Sequence, residues 1–154
     1  MRALWIVVLA SLLLPALCLA QPTVFIASGK SDFKAAIVTQ LTEQLAEYNC
    51  TIEQGKLKKL KSIKVDSLAA VIILDAVHIG KLSSKVRKFV ASLTPEQKTK
   101  VVLICTTGES NWQYSDQEVM AITSASADNR IDDVAARALA RIDALLANRG
   151  SSGE

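Results

Sequence analysis

The sequence predicts a doubly wound α/β domain, a five-stranded parallel sheet in the order 2-1-3-4-5 with helices on both faces. Three observations carry this expectation. Short β-branched apolar runs alternate with stretches whose apolar residues recur every three or four positions. Two of the runs, Val71–Leu74 and Val101–Cys105, are apolar without alternation, as strands covered on both faces are. The chain has 154 residues, of which 50% are hydrophobic and 21% charged, enough for one such core and too few for two ordinary domains. Strand–helix alternation needs right-handed crossovers, which leaves few ways of winding the sheet.

The elements follow in order. Met1-Arg2 is a short basic start, Ala3–Leu14 is almost wholly apolar, and Pro15 interrupts the run before Leu17-Cys18-Leu19-Ala20. This predicts a secretory signal over residues 1–20, cleaved after Ala20, and an exported domain over 21–150. The product would be periplasmic in a Gram-negative cell and secreted otherwise. The alternative is an uncleaved anchor, because the apolar character runs for about eighteen residues, the lower limit for a span. Beyond the signal no stable membrane span is expected. Ser151–Glu154 reads as a disordered tail.

Thr23–Ala27 is the first strand. Phe33, Ile37, Leu41 and Leu45 then recur every four residues, one face of a helix over Asp32–Tyr48 that Ser31 or Asp32 can cap. Cys50–Gln54 is a short second strand. Lys56, Lys58, Lys59, Lys61 and Lys64 cluster around Leu57, Leu60 and Ile63. That stretch is either a short solvated helix or a docking face for an acidic protein partner or anionic membrane surface. After the third strand, Leu82, Val86, Phe89, Val90 and Leu93 make a second helical stripe. Thr94-Pro95-Glu96-Gln97 opens a further short helix. Val101–Cys105 and Val119–Thr123 are the last strands. Ile131, Val134, Ala135, Ala138, Ile142 and Leu145 form the clearest stripe, with Asp132 and Asp133 in its first turn and Arg149 near its end. Gly150 can stop it.

Several function classes are disfavoured at once. A net charge of +3 with no aromatic-basic motif argues against nucleic acid. One histidine, His78, and no CxxC argue against the usual zinc spacings. After the signal only Cys50 and Cys105 remain. The expected strand order separates them by about three strand spacings, roughly 14 Å. A disulfide needs Cα atoms within about 7 Å, so two free thiols are expected. Asn49-Cys50-Thr51 fits a glycosylation sequon, which matters only in a eukaryotic secretory pathway.

In a sheet of this winding, ligands bind beyond the carboxyl ends of the strands, near the point where the winding reverses. The loop there after strand one is Ser28-Gly29-Lys30-Ser31, small and hydroxyl-bearing, leading into a helix. It can cradle a phosphate or be an ordinary turn. The third-strand loop is Asp75–Leu82, followed by Ser83–Val90. Here the chain resembles the flavodoxin-like superfamily, and is most similar to the branch of menaquinone-dependent protoporphyrinogen oxidases and related flavodoxin-domain proteins. In that branch a strand ends in an apolar turn with an aromatic residue and Gly, then an amphipathic helix with a Phe, as Gly80–Phe89 does here. The resemblance spans about residues 23–147. It implies FMN held non-covalently, with Ser28, Gly29, Lys30 and Ser31 around the phosphate in a loop shorter than the family's. It further implies His78 beside the ring, and a fourth-strand loop from Thr107 that offers Trp112 and Tyr114 as stacking partners.

Two readings follow. One is an FMN-binding oxidoreductase or electron carrier with a redox partner. The other is a flavin-free binding module on the same scaffold. A phosphoacceptor receiver domain shares the strand order and would place Asp75 at its phosphoacceptor position. However, Ala27-Ser28 stand where its metal-binding acidic pair belongs, and no Lys ends strand five. On the processing reading, N-terminal analysis of the native protein should begin at or near Gln21; an intact Met1 in a membrane fraction would establish the anchored alternative.

Overall fold

The computed structural model describes residues 20–109 and 111–150. The tail, and all of the expected signal but Ala20, lie outside the described residues. Five strands, β1 (Thr23–Ser28), β2 (Thr51–Lys56), β3 (Ala70–Ala76), β4 (Val101–Thr106) and β5 (Met120–Ser124), pair in parallel in the order β2-β1-β3-β4-β5. This is the expected winding. β4 is buried at every position and β3 at all but Ala76, which accounts for their unbroken apolar sequences. β2, Thr-Ile-Glu-Gln-Gly-Lys, is mostly exposed, as suits an edge strand. It starts one residue later than expected and runs on to Lys56, because its whole length pairs with β1 from Thr23 to Ser28.

One face is covered by α1 (Asp32–Leu45) and α4 (Ile131–Gly150). Their stripes, Ile37, Leu41 and Leu45 with Val134, Ala138 and Ile142, pack on Val24, Ile26, Ile72, Leu74 and Ile104. Ser31 caps α1, its hydroxyl oxygen accepting the Lys34 N–H at 3.2 Å. The other face carries only the short α2 (Ser84–Ala91), with two 3-10 turns at Leu57–Ser62 and Val65–Ser67. Leu60, Val65, Val86, Phe89 and Val90 pack there on Phe25, Val71, Ile73 and Leu103. The lysine-rich stretch is therefore a 3-10 segment. Its apolar residues fall every third position, and a helix of three residues per turn aligns such a row. A one-turn α3 (Pro95–Lys98) follows, with Thr94 and Gln97 in a reciprocal capping box and Pro95 in its first turn.

Cys50 and Cys105 are both free thiols, as expected. Burial, reinforced by the charge of Asp75, pushes the Cys105 thiol up to about 12, and burial also raises Cys50.

Gly55 is the tightest point of the edge. A Cβ there would stand 2.9 Å from Phe25 Cζ and 3.3 Å from the Lys59 stem, so the first 3-10 turn can fold back onto β1 only over a bare backbone. Gly55→Ala should destabilise the protein by about 1–3 kcal/mol, the usual cost of overpacking, read as a lower denaturation midpoint.

Candidate functional site

The switch point lies where β1 sits between β2 and β3. The loop leaving β1 is laced down at its first residues. The Ser28 hydroxyl donates to the Gly29 carbonyl at 2.8 Å, and the Gly29 N–H donates to Leu74 O at 2.9 Å, tying the loop to the end of β3. Beyond Gly29 the amides are open. Among the described residues no hydrogen bond engages the N–H groups of Lys30, Ser31, Asp32 or Phe33. They form the partially positive end of a 14-residue helix.

Beneath this loop stands a residue the sequence reading passed over. Lys34 is only 5% exposed. A Cβ built on Gly29 would lie 3.7 Å from the Lys34 Nζ and 3.6 Å from Leu57 Cδ1, so the side chain reaches back under the loop. Among the described residues its ammonium has no hydrogen bond and no ion pair within 4.0 Å. Burial lowers its pKa, and the charge of Asp75 partly restores it. Asp75, itself 5% exposed, accepts the Ser83 N–H at 2.8 Å before α2. It is thus the common neighbour of the first and third loops. The signal for Lys34 was present: positions 34, 37, 41 and 45 follow helical spacing on the buried face.

The third loop is a tight hairpin. His78 and Lys81 pair through both backbone bonds, at 2.8 and 3.1 Å. Ile79 at φ 49° and Gly80 at φ 68° make the turn. A β-branched residue rarely takes that left-handed conformation, and Ile79 is 97% exposed at the tip. His78 is also exposed. Behind the hairpin a hollow of about 370 Å³ is lined by His78, Ile79, Lys81, Leu82, Ser83 and Arg87.

From the fourth loop the Trp112 indole N–H donates to Gly80 O at 2.9 Å, so Trp112 clamps the hairpin. Trp112 and Tyr114 lie with ring centroids 6.4 Å apart at 40°, both half-buried against the second core. Burial raises the Tyr114 pKa, and the charge of Asp116 adds to it. Thr107 turns inward: its N–H donates to Ser124 O at 3.0 Å and its hydroxyl oxygen accepts the Glu109 N–H at 3.0 Å. The structure therefore gathers Ser28–Ser31 with Lys34 and Asp75, and His78 with Trp112. Tyr114 lies further along the segment that returns to β5, near Asp116 and Lys98.

No family model matches the sequence, and neither does any curated protein. Solved structures do match in fold. A flavodoxin from the domain Archaea has 10% identity and a TM-score of 0.53, over 80% of this chain and 98% of its own. An NADH:FMN oxidoreductase in its apo form has 14% identity and a TM-score of 0.56, over 83% of this chain and 90% of its own. Oxidised flavodoxin 2 from Bacillus cereus has 11% identity and a TM-score of 0.54, over 79% and 98%. The chain has a flavodoxin-like fold.

A buried lysine with a lowered pKa costs stability at neutral pH, where the folded protein must hold the charge out of water. The cost fades as pH rises through the folded pKa towards 10.5, where the unfolded chain also loses the proton. Lys34→Met keeps the stem and removes the charge, and should raise the denaturation midpoint at pH 7. Denaturation at pH 7 and near 10 should show that gain shrinking at the higher pH.

Proposed function

We propose that the chain binds FMN non-covalently at the switch point and serves outside the cytoplasm as an electron carrier or flavin-dependent oxidoreductase. The observation that carries this reading is the largely buried Lys34 side chain, which has no hydrogen bond or ion pair among the described residues and stands beside a helix start whose amides are open. A dianionic phosphate there would satisfy both at once. Ser28 and Gly29 shape the loop, the amides of Lys30 and Ser31 face the anion, and Lys34 neutralises it. Trp112, held by Gly80, and His78 at the hairpin would flank the ring, with Thr107 fixing the base of the fourth loop and Tyr114 backing Trp112. When bound, the flavin supplies one- and two-electron transfer, and the protein binds and orients it. The three solved structures described above, each with flavodoxin or FMN in its name, add weight through the fold they share. The redox partner would be an acidic protein drawn by the lysine excess. The apolar start of the sequence supports export.

One observation favours the second reading, a flavin-free binding module. The indole N–H of Trp112 is already committed to Gly80, and its ring rests on the second core. A stacking partner thus has at most one face to meet.

Titration with FMN and riboflavin, followed by absorbance, separates the two. Wild type should bind FMN more tightly than riboflavin. Lys34→Met should weaken FMN by roughly tenfold to a hundredfold, the worth of about 1.5–3 kcal/mol for a charged contact, and leave riboflavin unchanged. Trp112→Ala should weaken both. Ser31→Ala is the poorer probe, because it also removes the α1 cap, at a cost of about 1 kcal/mol in stability. Equal losses of FMN and riboflavin on changing Lys34 would move the phosphate elsewhere, and binding of neither by wild type would leave the flavin-free module.

A further inference from the structure

The sparsely covered face of the sheet holds a groove outside the proposed flavin contacts. Between the 3-10 turns and α2 lies a groove of about 770 Å³. That is within the roughly 300–1,000 Å³ of small-molecule pockets. Its floor is apolar, made by Leu57, Leu60, Ile63, Val65, Phe89 and Leu93. Its rim is cationic: Lys58, Lys61 and Lys64 from one side, Lys85 and Lys88 from α2. All five lysines are exposed, and among the described residues none has an ion pair within 4.0 Å. The single acid of the lining, Asp66, is engaged: its carboxylate accepts from Gln97 Nε2 at 3.0 Å.

We propose that this groove binds an anionic amphiphile of small-molecule size, a single apolar chain ending in a carboxylate. Two features choose this occupant. The charge is one-sided, so the partner must be anionic, while the floor demands an apolar body. Leu60 is 2% exposed and Phe89 7%, so the apolar body would rest chiefly on the half-buried Leu57, Ile63 and Leu93. A single apolar chain fits that volume, and the cationic rim sets the charge of its head group. The ammonium groups then meet the carboxylate at the mouth.

Isothermal titration of the purified protein with dodecanoate below its micelle concentration, dodecanol and acetate tests this. Dodecanoate should bind saturably at one site, dodecanol more weakly, and acetate without measurable heat. Lys61→Gln combined with Lys88→Gln replaces two ammonium groups with neutral amides. It should weaken dodecanoate about five- to tenfold and leave dodecanol unchanged, since exposed charge pairs contribute modestly each. Ser92→Trp, at an exposed lining position, should fill the groove and remove both, with the thermal midpoint showing that the variant is folded. Absence of saturable dodecanoate binding, or binding that ignores the paired lysine changes, would overturn the proposal. So would binding confined to anionic phospholipid vesicles, or an acidic amphipathic peptide that binds while dodecanoate neither binds nor competes.

Discussion

β4 is buried along its whole length and β3 along nearly all of it, and a parallel sheet of that kind must be covered on both sides. The rest of the molecule is arranged around that requirement, and it is met unequally. One side receives two helices of 14 and 20 residues. The other receives an 8-residue helix and two 3-10 turns. Phe25, Phe89 and Leu60 belong to the core on that side. The lysine-rimmed groove is what remains of the missing cover.

The same sheet brings two buried charges to the switch point. Lys34 and Asp75 each lie almost out of reach of solvent, one on the first helix and one at the end of β3. The charge of Asp75 acts on Lys34, though no ion pair joins them within 4.0 Å. Asp75 is satisfied by the backbone N–H of Ser83, whereas the ammonium of Lys34 has no such partner among the described residues. Holding a lysine side chain largely out of water without an ion pair costs stability.

Much of the fold was legible because its signals are local. Periodicity located α1, α2 and α4. The unbroken runs at Val71 and Val101 marked inner strands, and Thr94-Pro95 marked a helix start. The strand order followed from alternation and handedness, and it carried the correct expectation of two separate thiols. The 3-10 geometry of Leu57–Ser62 was readable from its spacing of three, a period close enough to 3.6 to pass for an α-helix over so few residues. The site was less legible. The loop Ser28–Ser31 stood out through its composition; the helical spacing put Lys34 on the buried stripe, but only the tertiary fold shows that its side chain bends back under Gly29. The clamp between Trp112 and Gly80 joins residues 32 apart in sequence and has no local signature.

The two margins of the sheet differ in a way that bears on self-association. Along β2 the open backbone ends in Lys56 and runs into a dense row of lysines, so a second sheet joining there would crowd like charges together. β5, Met-Ala-Ile-Thr-Ser, carries no charge, and its Met120 is 42% exposed. Growth by strand addition is therefore blocked on one margin and guarded only by the shortness of the strand on the other. Among the described residues, β5 is therefore the margin on which edge-to-edge pairing would meet no like charge.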